Sequence, residues 1–120
     1  MPWAVEFHPT FSAEFDELDD LVREELLAMA RLLEEFGPQL GRPHVDTLHG
    51  SRHANMKELR FDAADGVWRV AFAFDRSRQA LLLVAGDKSG GSSKRFYRRL
   101  ILKADQRFEQ HVLHTEKGRG

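Results

Sequence analysis

Residues 56–87, MKELRFDAADGVWRVAFAFDRSRQALLLVAGD, contain three strand patterns in succession. Lys57–Phe61 alternates polar and apolar residues, Trp68–Phe74 has large apolar side chains at alternate positions, and Ala80–Ala85 is apolar throughout. Asp62, Asp65 and Gly66 give the segment between the first two strands the composition of a hairpin turn. The stretch therefore predicts three sequential strands, of which the third is buried on both faces.

Two arginines lie inside the first two of these strands. If the apolar residues of both strands share one buried face, side-chain alternation sends Arg60 and Arg69 together to the opposite face. An antiparallel register that pairs them leaves a four-residue connection, 63–66. Like charges directly opposed across two strands repel by about 0.2–1 kcal/mol, which indicates that something anionic lies across both. The alternative is that Glu58 and Asp75 neutralise the arginines as ordinary ion pairs.

Composition and charge narrow the class of protein. A chain of 120 residues without cysteine, 42% hydrophobic and 31% charged, is typical of one globular domain, which we expect over 1–114 with a flexible tail over 115–120. No apolar run is long enough for a membrane span and no signal peptide is recognisable, so we expect a cytoplasmic protein. Residues 1–40 hold ten acidic and two basic residues, whereas the remainder is basic. Either the basic part faces a polyanion or the two halves pair with each other.

The flanking segments predict a strand, helices and loops. Trp3–Phe7 reads as a first strand that ends at His8-Pro9, and apolar residues then recur every three or four positions up to Phe36. Asp19-Asp20 indicates the start of a second helix, although one long helix fits nearly as well. Gly37-Pro38 ends the helical region. We expect a loop over 39–55 and a last helix over 94–111.

Other candidate sites are less complete. The loop Gly86–Lys94 lacks the glycine, lysine and serine or threonine order of a Walker motif, but its amides could hold one phosphate. His49 and His53 have a metal-ligand spacing, yet no other ligand is nearby and Gly50 disfavours a helix, so we expect no metal site. Either histidine could instead act as a general acid or base. Basic residues recur every four positions on the last helix, where a solvated face is the simpler interpretation: Arg95, Arg99, Lys103 and Arg107.

Three motifs carry a resemblance to a known family: Lys57-Glu58-Leu59-Arg60-Phe61, Trp68-Arg69-Val70-Ala71-Phe72 and the segment from Leu81 to Lys88. With their element order they resemble the RelE/ParE toxin superfamily, and within it the phage-derived HigB-type toxins. The resemblance extends from Trp3 to about His111. It implies an α+β single domain with the order β-α-α-β-β-β-α and a small, mainly antiparallel sheet packed by helices.

The resemblance also implies a function. Such a protein is the toxin of a type II toxin–antitoxin system, which cleaves messenger RNA on the ribosome and is restrained by a helix-turn-helix, HigA-like antitoxin. A ribose 2′-hydroxyl attacks the adjacent phosphate, so neither a metal nor a small-molecule cofactor is needed. The alternatives are a ParE-like toxin that inhibits DNA gyrase without catalysis and a noncatalytic RNA-binding domain.

Residue roles follow from the same resemblance. Arg60 and Arg69 are implied to stabilise charge on the phosphate, and Lys57 to contact the phosphate or transfer a proton. Strict alternation places Lys57 on the Leu59 face, so it reaches the site only if the strand starts after it or contains a bulge. Lys88 is implied to anchor the RNA backbone. Three further residues complete the expected RNA contacts: Lys94, Arg95 and His53.

Overall fold

The molecule is built around one five-stranded sheet. The computed structural model describes residues 2–119, with side chains as far as residue 115. The sheet has the order β1-β5-β4-β3-β2, in which β1 is parallel to β5 and the other neighbours are antiparallel. This architecture confirms the predicted α+β class. In chain order the elements are β1 (Ala4–Phe7), α1 (Pro9–Asp16), α2 (Asp20–Phe36), a 3-10 turn (Gly37–Gln39), β2 (Val45–Thr47), β3 (Met56–Ala63), β4 (Gly66–Phe74), β5 (Gln79–Asp87) and α3 (Ser93–Arg119).

The strand β2 corrects the prediction of an uninterrupted loop over 39–55. It has only three residues, Val45–Thr47, and pairs antiparallel with Lys57–Leu59 of β3. Three residues are too few to show a period-two pattern, and the strand exists because β3 offers it an edge. Its short length leaves the rest of β3 without a strand neighbour on that side.

The helical region is a pair of helices, which decides between the two predicted interpretations. α1 ends at Asp16, and Asp19 caps α2 by accepting a hydrogen bond from the backbone N–H of Leu21 at 2.8 Å. Gly37 ends α2 with a positive φ of 53°, as predicted from Gly37-Pro38. The side chains of α2 that pack on the sheet are Val22, Leu26, Met29 and Leu33.

The sheet separates two hydrophobic cores. α1 and α2 cover one face, here called the α1/α2 face, where Leu59, Phe61, Val70 and Phe72 are buried. α3 covers the other, the α3 face, where Ala71 and other alternate residues pack on Leu100, Ala104 and Phe108. β4 and β5 are buried on both faces, as predicted for the third strand and in contrast to the one-sided burial of an exposed antiparallel hairpin.

The β3–β4 hairpin has the predicted register but a shorter turn. Arg60 pairs with Arg69, and the pairing continues to Ala63 opposite Gly66. The connection is therefore the two residues Ala64 and Asp65, not four. Both have positive φ angles, 49° and 62°, as a two-residue hairpin turn requires, and for alanine this backbone region is strained.

α3 lies along β5 and is held there by a close approach and an ion pair. A Cβ atom on Gly86 would lie 2.7 Å from the ring of Phe96, so only glycine lets this ring pack on the strand. Arg107 donates to the backbone oxygen of Leu83 at 2.8 Å and to both carboxylate oxygens of Glu14 at 2.7 Å. Its side chain is 11% exposed, so the predicted basic stripe is structural at this position.

The backbone of α3 is helical as far as Arg119, beyond the predicted end at His111. Proline, which stops helices, is absent from this segment, and glycine first occurs at Gly118. The flexible tail expected over 115–120 stays a prediction, since the side chains of 116–120 lie outside the described residues. Within the described part of the chain, no helix has the length and apolar character needed to span a bilayer.

Replacing Ala64 by glycine should stabilise the protein. Glycine adopts a φ near 49° without the strain of a Cβ atom, so Ala64→Gly should raise the free energy of unfolding by about 1 kcal/mol in urea denaturation. The matched control is Ala63→Gly in the adjacent strand, which should lower it by about 0.5–1 kcal/mol. Equal destabilisation by both changes would contradict the turn geometry.

The ion pair between Glu14 and Arg107 predicts a loss of stability in acid. The hydrogen bond from Arg107 lowers the pKa of Glu14 from its ordinary value of 4.5. A carboxylate with a lowered pKa stabilises the fold above its unfolded-state pKa, and this contribution is lost as the pH falls through the folded-state pKa. The unfolding free energy should therefore decrease below about pH 4.5, and less steeply in Glu14→Gln. The exposed Glu24→Gln should keep the wild-type pH dependence.

Candidate functional site

The candidate site is formed on the α3 face by the opposed arginines of the hairpin. Arg60 and Arg69 are direct partners in the β3–β4 register, which confirms their predicted placement on one face. Glu58 is two residues from Arg60 on the same strand and shares this face. The two guanidinium groups differ in environment, because Arg69 lies in the centre of the sheet and Arg60 lies near its edge.

Arg69 is held by a buried network. The residue is 6% exposed, and its Nε lies 3.4 Å from a carboxylate oxygen of Glu58 and 3.3 Å from the Tyr97 hydroxyl. One terminal nitrogen, Nη1, donates to the backbone oxygen of Trp68 at 2.9 Å. The Tyr97 hydroxyl donates to the same carboxylate oxygen of Glu58 at 2.8 Å. Glu58 therefore neutralises Arg69, as the ion-pair alternative predicted.

Tyr97 of α3 is the third member of this network, and none of the sequence motifs pointed to it. Burial raises the pKa of Tyr97, and the hydrogen bond to Glu58 raises it further, so the hydroxyl stays protonated and donates to the carboxylate. Its partners are 28 and 39 residues away in the chain. The sequence itself shows only that the single tyrosine follows Phe96. In the structure, the ring of Phe96 packs on Gly86 and so brings this turn of α3 close to the sheet.

Arg60 is half-exposed and shares a carboxylate with a second arginine. Asp46 of β2 lies 3.6 Å from Arg60 and 3.0 Å from Arg42. The backbone N–H of Thr47 and then the hydrogen bond from Arg42 lower the pKa of Asp46, which stays ionised. One carboxylate thus faces two guanidinium groups, and positive charge remains in excess. Asp75, the other predicted partner, instead pairs with His111 at 3.0 Å.

An open cleft runs along the edge of β3 where β2 stops pairing. Its volume is about 660 Å³, and both Arg60 and Arg69 line it. The second terminal nitrogen of Arg69, Nη2, has no hydrogen-bond partner among the described residues. The cleft combines three arginines and a histidine with two carboxylates, and its lining residues are Glu25, Met29, Arg42, Pro43, His44, Arg60, Phe61, Asp62 and Arg69. Such a cleft suits an anionic ligand with apolar parts.

The structure does not bring Lys57 to the arginines. The β3–β4 pairing is continuous from Met56 to Ala63, so no bulge moves Lys57 off the Leu59 face. This placement of Lys57 therefore does not support the predicted phosphate contact or proton transfer.

His53 and Lys88 are near α3. The imidazole of His53 lies 2.9 Å from Glu109, whose pKa is lowered by this contact and by Arg52. The ammonium of Lys88 lies 5.7 Å from the ring centroid of Tyr97, next to the buried network. Lys88 is thus the predicted RNA contact that lies beside the arginine site, and His53 is anchored to α3.

Lys94 and Arg95 are exposed on the first turns of α3. The preceding glycine-rich loop uses its groups internally, because the Asp87 carboxylate accepts hydrogen bonds from the N–H groups of Val67 and Ser89 and from the Ser89 hydroxyl. These contacts lower the pKa of Asp87, the Ser89 hydroxyl most of all. An ionised carboxylate at this position opposes the predicted phosphate cradle. Among the side chains described, no three histidine or acidic residues are grouped closely enough to hold a metal.

The fold places the protein in a known class. The structure is similar to that of a mutant of E. coli toxin RelE in the free state, with a TM-score of 0.61 over 86% of this chain and 97% of that chain. The sequence identity is 14%, so this likeness shows a RelE-like fold. The chain belongs to the family of phage derived Gp49-like proteins (DUF891), whose model matches residues 13–109.

Two curated relatives come from Mycobacterium tuberculosis. Putative toxin HigB3 is 52% identical over 89 residues, which cover 74% of this chain and 75% of that protein. Putative toxin HigB2 is 44% identical over 106 residues, which cover 88% of this chain. The matched region spans about half of HigB2, 52% of its length. These matches confirm the predicted resemblance to RelE-like proteins of the HigB type.

Removing the charge of Glu58 should destabilise the protein. Glu58→Gln keeps a side chain that can accept from Tyr97 but leaves the Arg69 charge buried without a counter-ion, so we expect a loss of about 3–5 kcal/mol in urea denaturation. Asp62→Asn is the control, an exposed carboxylate on the same strand and face, and should change stability by less than about 0.5 kcal/mol. The double variant Glu58→Gln/Arg69→Met should recover much of the loss. A double variant less stable than Glu58→Gln would contradict the ion-pair interpretation.

Proposed function

We propose that this protein is the toxin of a type II toxin–antitoxin system and that it cleaves messenger RNA on the ribosome. The observation that carries the proposal is the opposed pair Arg60 and Arg69 at an open cleft. A cleft lined by opposed guanidinium groups, fixed on a rigid sheet, suits the phosphate backbone of a single-stranded RNA. The proposal places the protein in the cytoplasm, where ribosomes are.

The relatives support the toxin part of the proposal. HigB2 and HigB3 are both named putative toxins, and the structurally similar RelE is a toxin. A HigB-type toxin has an antitoxin as its partner, for which we propose a helix-turn-helix, HigA-like protein. Messenger RNA cleavage is the finer step, and the chemistry of the cleft supports it.

The proposed reaction is attack of a ribose 2′-hydroxyl on the adjacent phosphate, with departure of the 5′-oxygen of the next nucleotide. The attacking and leaving groups both belong to the RNA, so the protein contributes alignment and charge stabilisation. Arg69 is held rigidly by Glu58 and Tyr97, which gives a guanidinium of defined orientation at the cleft. Arg60, being half-exposed, can turn from Asp46 towards a phosphoryl oxygen.

Proton transfer also needs a group in the cleft. His44 lines it, and its backbone oxygen accepts a hydrogen bond from the N–H of Arg60 at 2.8 Å. A neutral imidazole has one nitrogen that donates a proton and one that accepts, so His44 is the lining residue suited to act as general acid or base. Lys57 is left out of this proposal because it does not line the cleft.

A noncatalytic role is the second candidate, and the ion pairs favour it. Arg69 already has Glu58 as a counter-ion, and Arg60 has Asp46. Arginines engaged in this way serve equally well in a surface that binds RNA or a protein such as DNA gyrase. Binding of RNA or of gyrase differs from the proposed cleavage because it leaves messenger RNA intact.

Mapping of messenger RNA 5′ ends after brief induction, in cells that lack a cognate antitoxin, tests the proposal. The wild-type protein should create new ends within translated frames. Arg60→Ala should reduce their number by about 100-fold, since removal of one group that stabilises the transition state has an effect of this size. Arg60 is near the sheet edge, so the variant should fold, which its soluble level and circular dichroism check.

Arg98→Ala is the matched control, because Arg98 is an exposed arginine of α3 that lies outside the cleft. It should cleave like the wild type. Growth arrest without new ends would overturn the nuclease proposal in favour of a protein target such as gyrase. Absence of both arrest and cleavage would leave a binding domain.

A further inference from the structure

The edge of β5 is open beyond the end of β1. β1 pairs with Gln79–Leu82 and ends where the N–H of His8 donates to the backbone oxygen of Leu82 at 2.9 Å. From Leu83 onward, β4 is the only described strand that pairs with β5. An unpaired edge offers N–H and C=O groups to another strand. Arg107 occupies the oxygen of Leu83, so the open segment is Val84–Asp87, about 13 Å long.

This edge forms one wall of a groove whose volume is about 360 Å³. The opposite wall is α3, which runs antiparallel to the strand because Phe96 lies against Gly86 and Arg107 reaches Leu83. Phe96 and Leu100 supply apolar surface between the two walls. The groove shares no lining residue with the arginine-lined cleft. The groove is therefore a site separate from the cleft. The two are neighbours across the sheet, because Gly86 of the groove pairs with Arg69 of the cleft.

Three cations line the α3 side of the groove at regular intervals. Arg95, Arg99 and Lys103 are exposed and make no ion pair with any described residue, in contrast to Arg107 one turn later. Four helical residues rise about 6 Å, and alternate residues of a strand are about 6.6 Å apart. A strand beside β5 with acidic side chains at alternate positions therefore matches the spacing of these cations.

We propose that this groove binds an extended acidic segment of a protein partner, which adds a strand to the open edge of β5. Its alternate acidic side chains point to the α3 face, where they meet Arg95, Arg99 and Lys103 and lie over Phe96 and Leu100. The intervening apolar side chains point to the opposite face of the sheet. The inference rests on the proposed function for the identity of that partner, which is the antitoxin. The bound segment would be separated from Arg69 of β4 by β5, and it would leave the arginine-lined cleft empty.

A peptide fits the groove better than RNA does. Strand addition uses the backbone groups of Val84–Asp87, which a nucleic acid does not match. Asp87 lines the groove as an ionised carboxylate, which repels a phosphate chain, whereas a peptide can place an uncharged residue there. Charge complementarity with three cations then selects acidic segments over basic ones.

The test measures binding of a defined probe to the purified full-length chain. The probe is a fluorescein-labelled peptide of about ten residues with alternating glutamate and valine, a typical strand length with some margin. Fluorescence anisotropy should show saturable binding, and Arg99→Glu should weaken it at least about tenfold by placing like charges together. Arg98→Glu, the neighbouring exposed arginine outside the groove, should change it less than about twofold.

Two further probes separate strand addition from charge alone. The same peptide with N-methyl groups on alternate amides keeps its charges but loses its edge donors, so its binding should weaken at least about tenfold. Absence of saturable binding, equal binding of the methylated peptide, or equal weakening by Arg98→Glu would each overturn the inference. So would displacement of the peptide by a single-stranded RNA with the same Arg99 dependence, or dimerisation of the chain through this groove in light scattering.

The results of the peptide assay and of the RNA-end mapping are independent of each other. The assay needs neither toxicity nor cleavage, so loss of the proposed function leaves its result readable. Conversely, a groove that binds no acidic peptide would not count against the proposed cleavage of messenger RNA at the arginine-lined cleft.

Discussion

The structure depends on the buried ion pair between Arg69 and Glu58, which Tyr97 completes. It joins β3 and β4 to α3, since each member of the network comes from a different element. A guanidinium that is only 6% exposed requires a counter-ion and hydrogen-bond acceptors, because an unpaired charge in this position costs several kcal/mol. The position of α3 follows from this requirement, and Gly86 permits it by leaving room for Phe96.

The same network makes the candidate site rigid where it is buried and adjustable where it is exposed. Arg69 is oriented by three partners, whereas Arg60 shares Asp46 with Arg42 at the sheet edge. A fixed donor beside a movable one suits recognition of a phosphate whose charge changes during a reaction, because little reorganisation is then required. The network thus gives Arg69 a structural role beside the functional one that we propose for it.

The uneven charge of the chain is only partly resolved within the molecule. Glu14 of the acidic N-terminal part pairs with Arg107, which supports the interpretation that the two halves neutralise each other. The other basic residues at that four-residue spacing on α3 are exposed, and Arg42 and Arg60 are accessible at the cleft. The basic half therefore has two separate groups of cations on opposite sides of the central strand β4, the arginines of the cleft and the exposed cations of α3. We propose a substrate for the first group and a protein partner for the second.

Hydrophobic alternation by itself determined the three sequential strands and the shared face of Arg60 and Arg69, because burying the large apolar residues of β3 and β4 on one face sends both arginines to the other. It also placed Lys57 on the face opposite to Arg60 and Arg69, where the structure has it. Only the tertiary structure decided which groups the arginines meet. Asp46 lies on a strand too short to show a pattern, and Tyr97 reaches Arg69 from a helix 28 residues away. Such contacts arise when separate elements pack together, so no local property of the sequence records them.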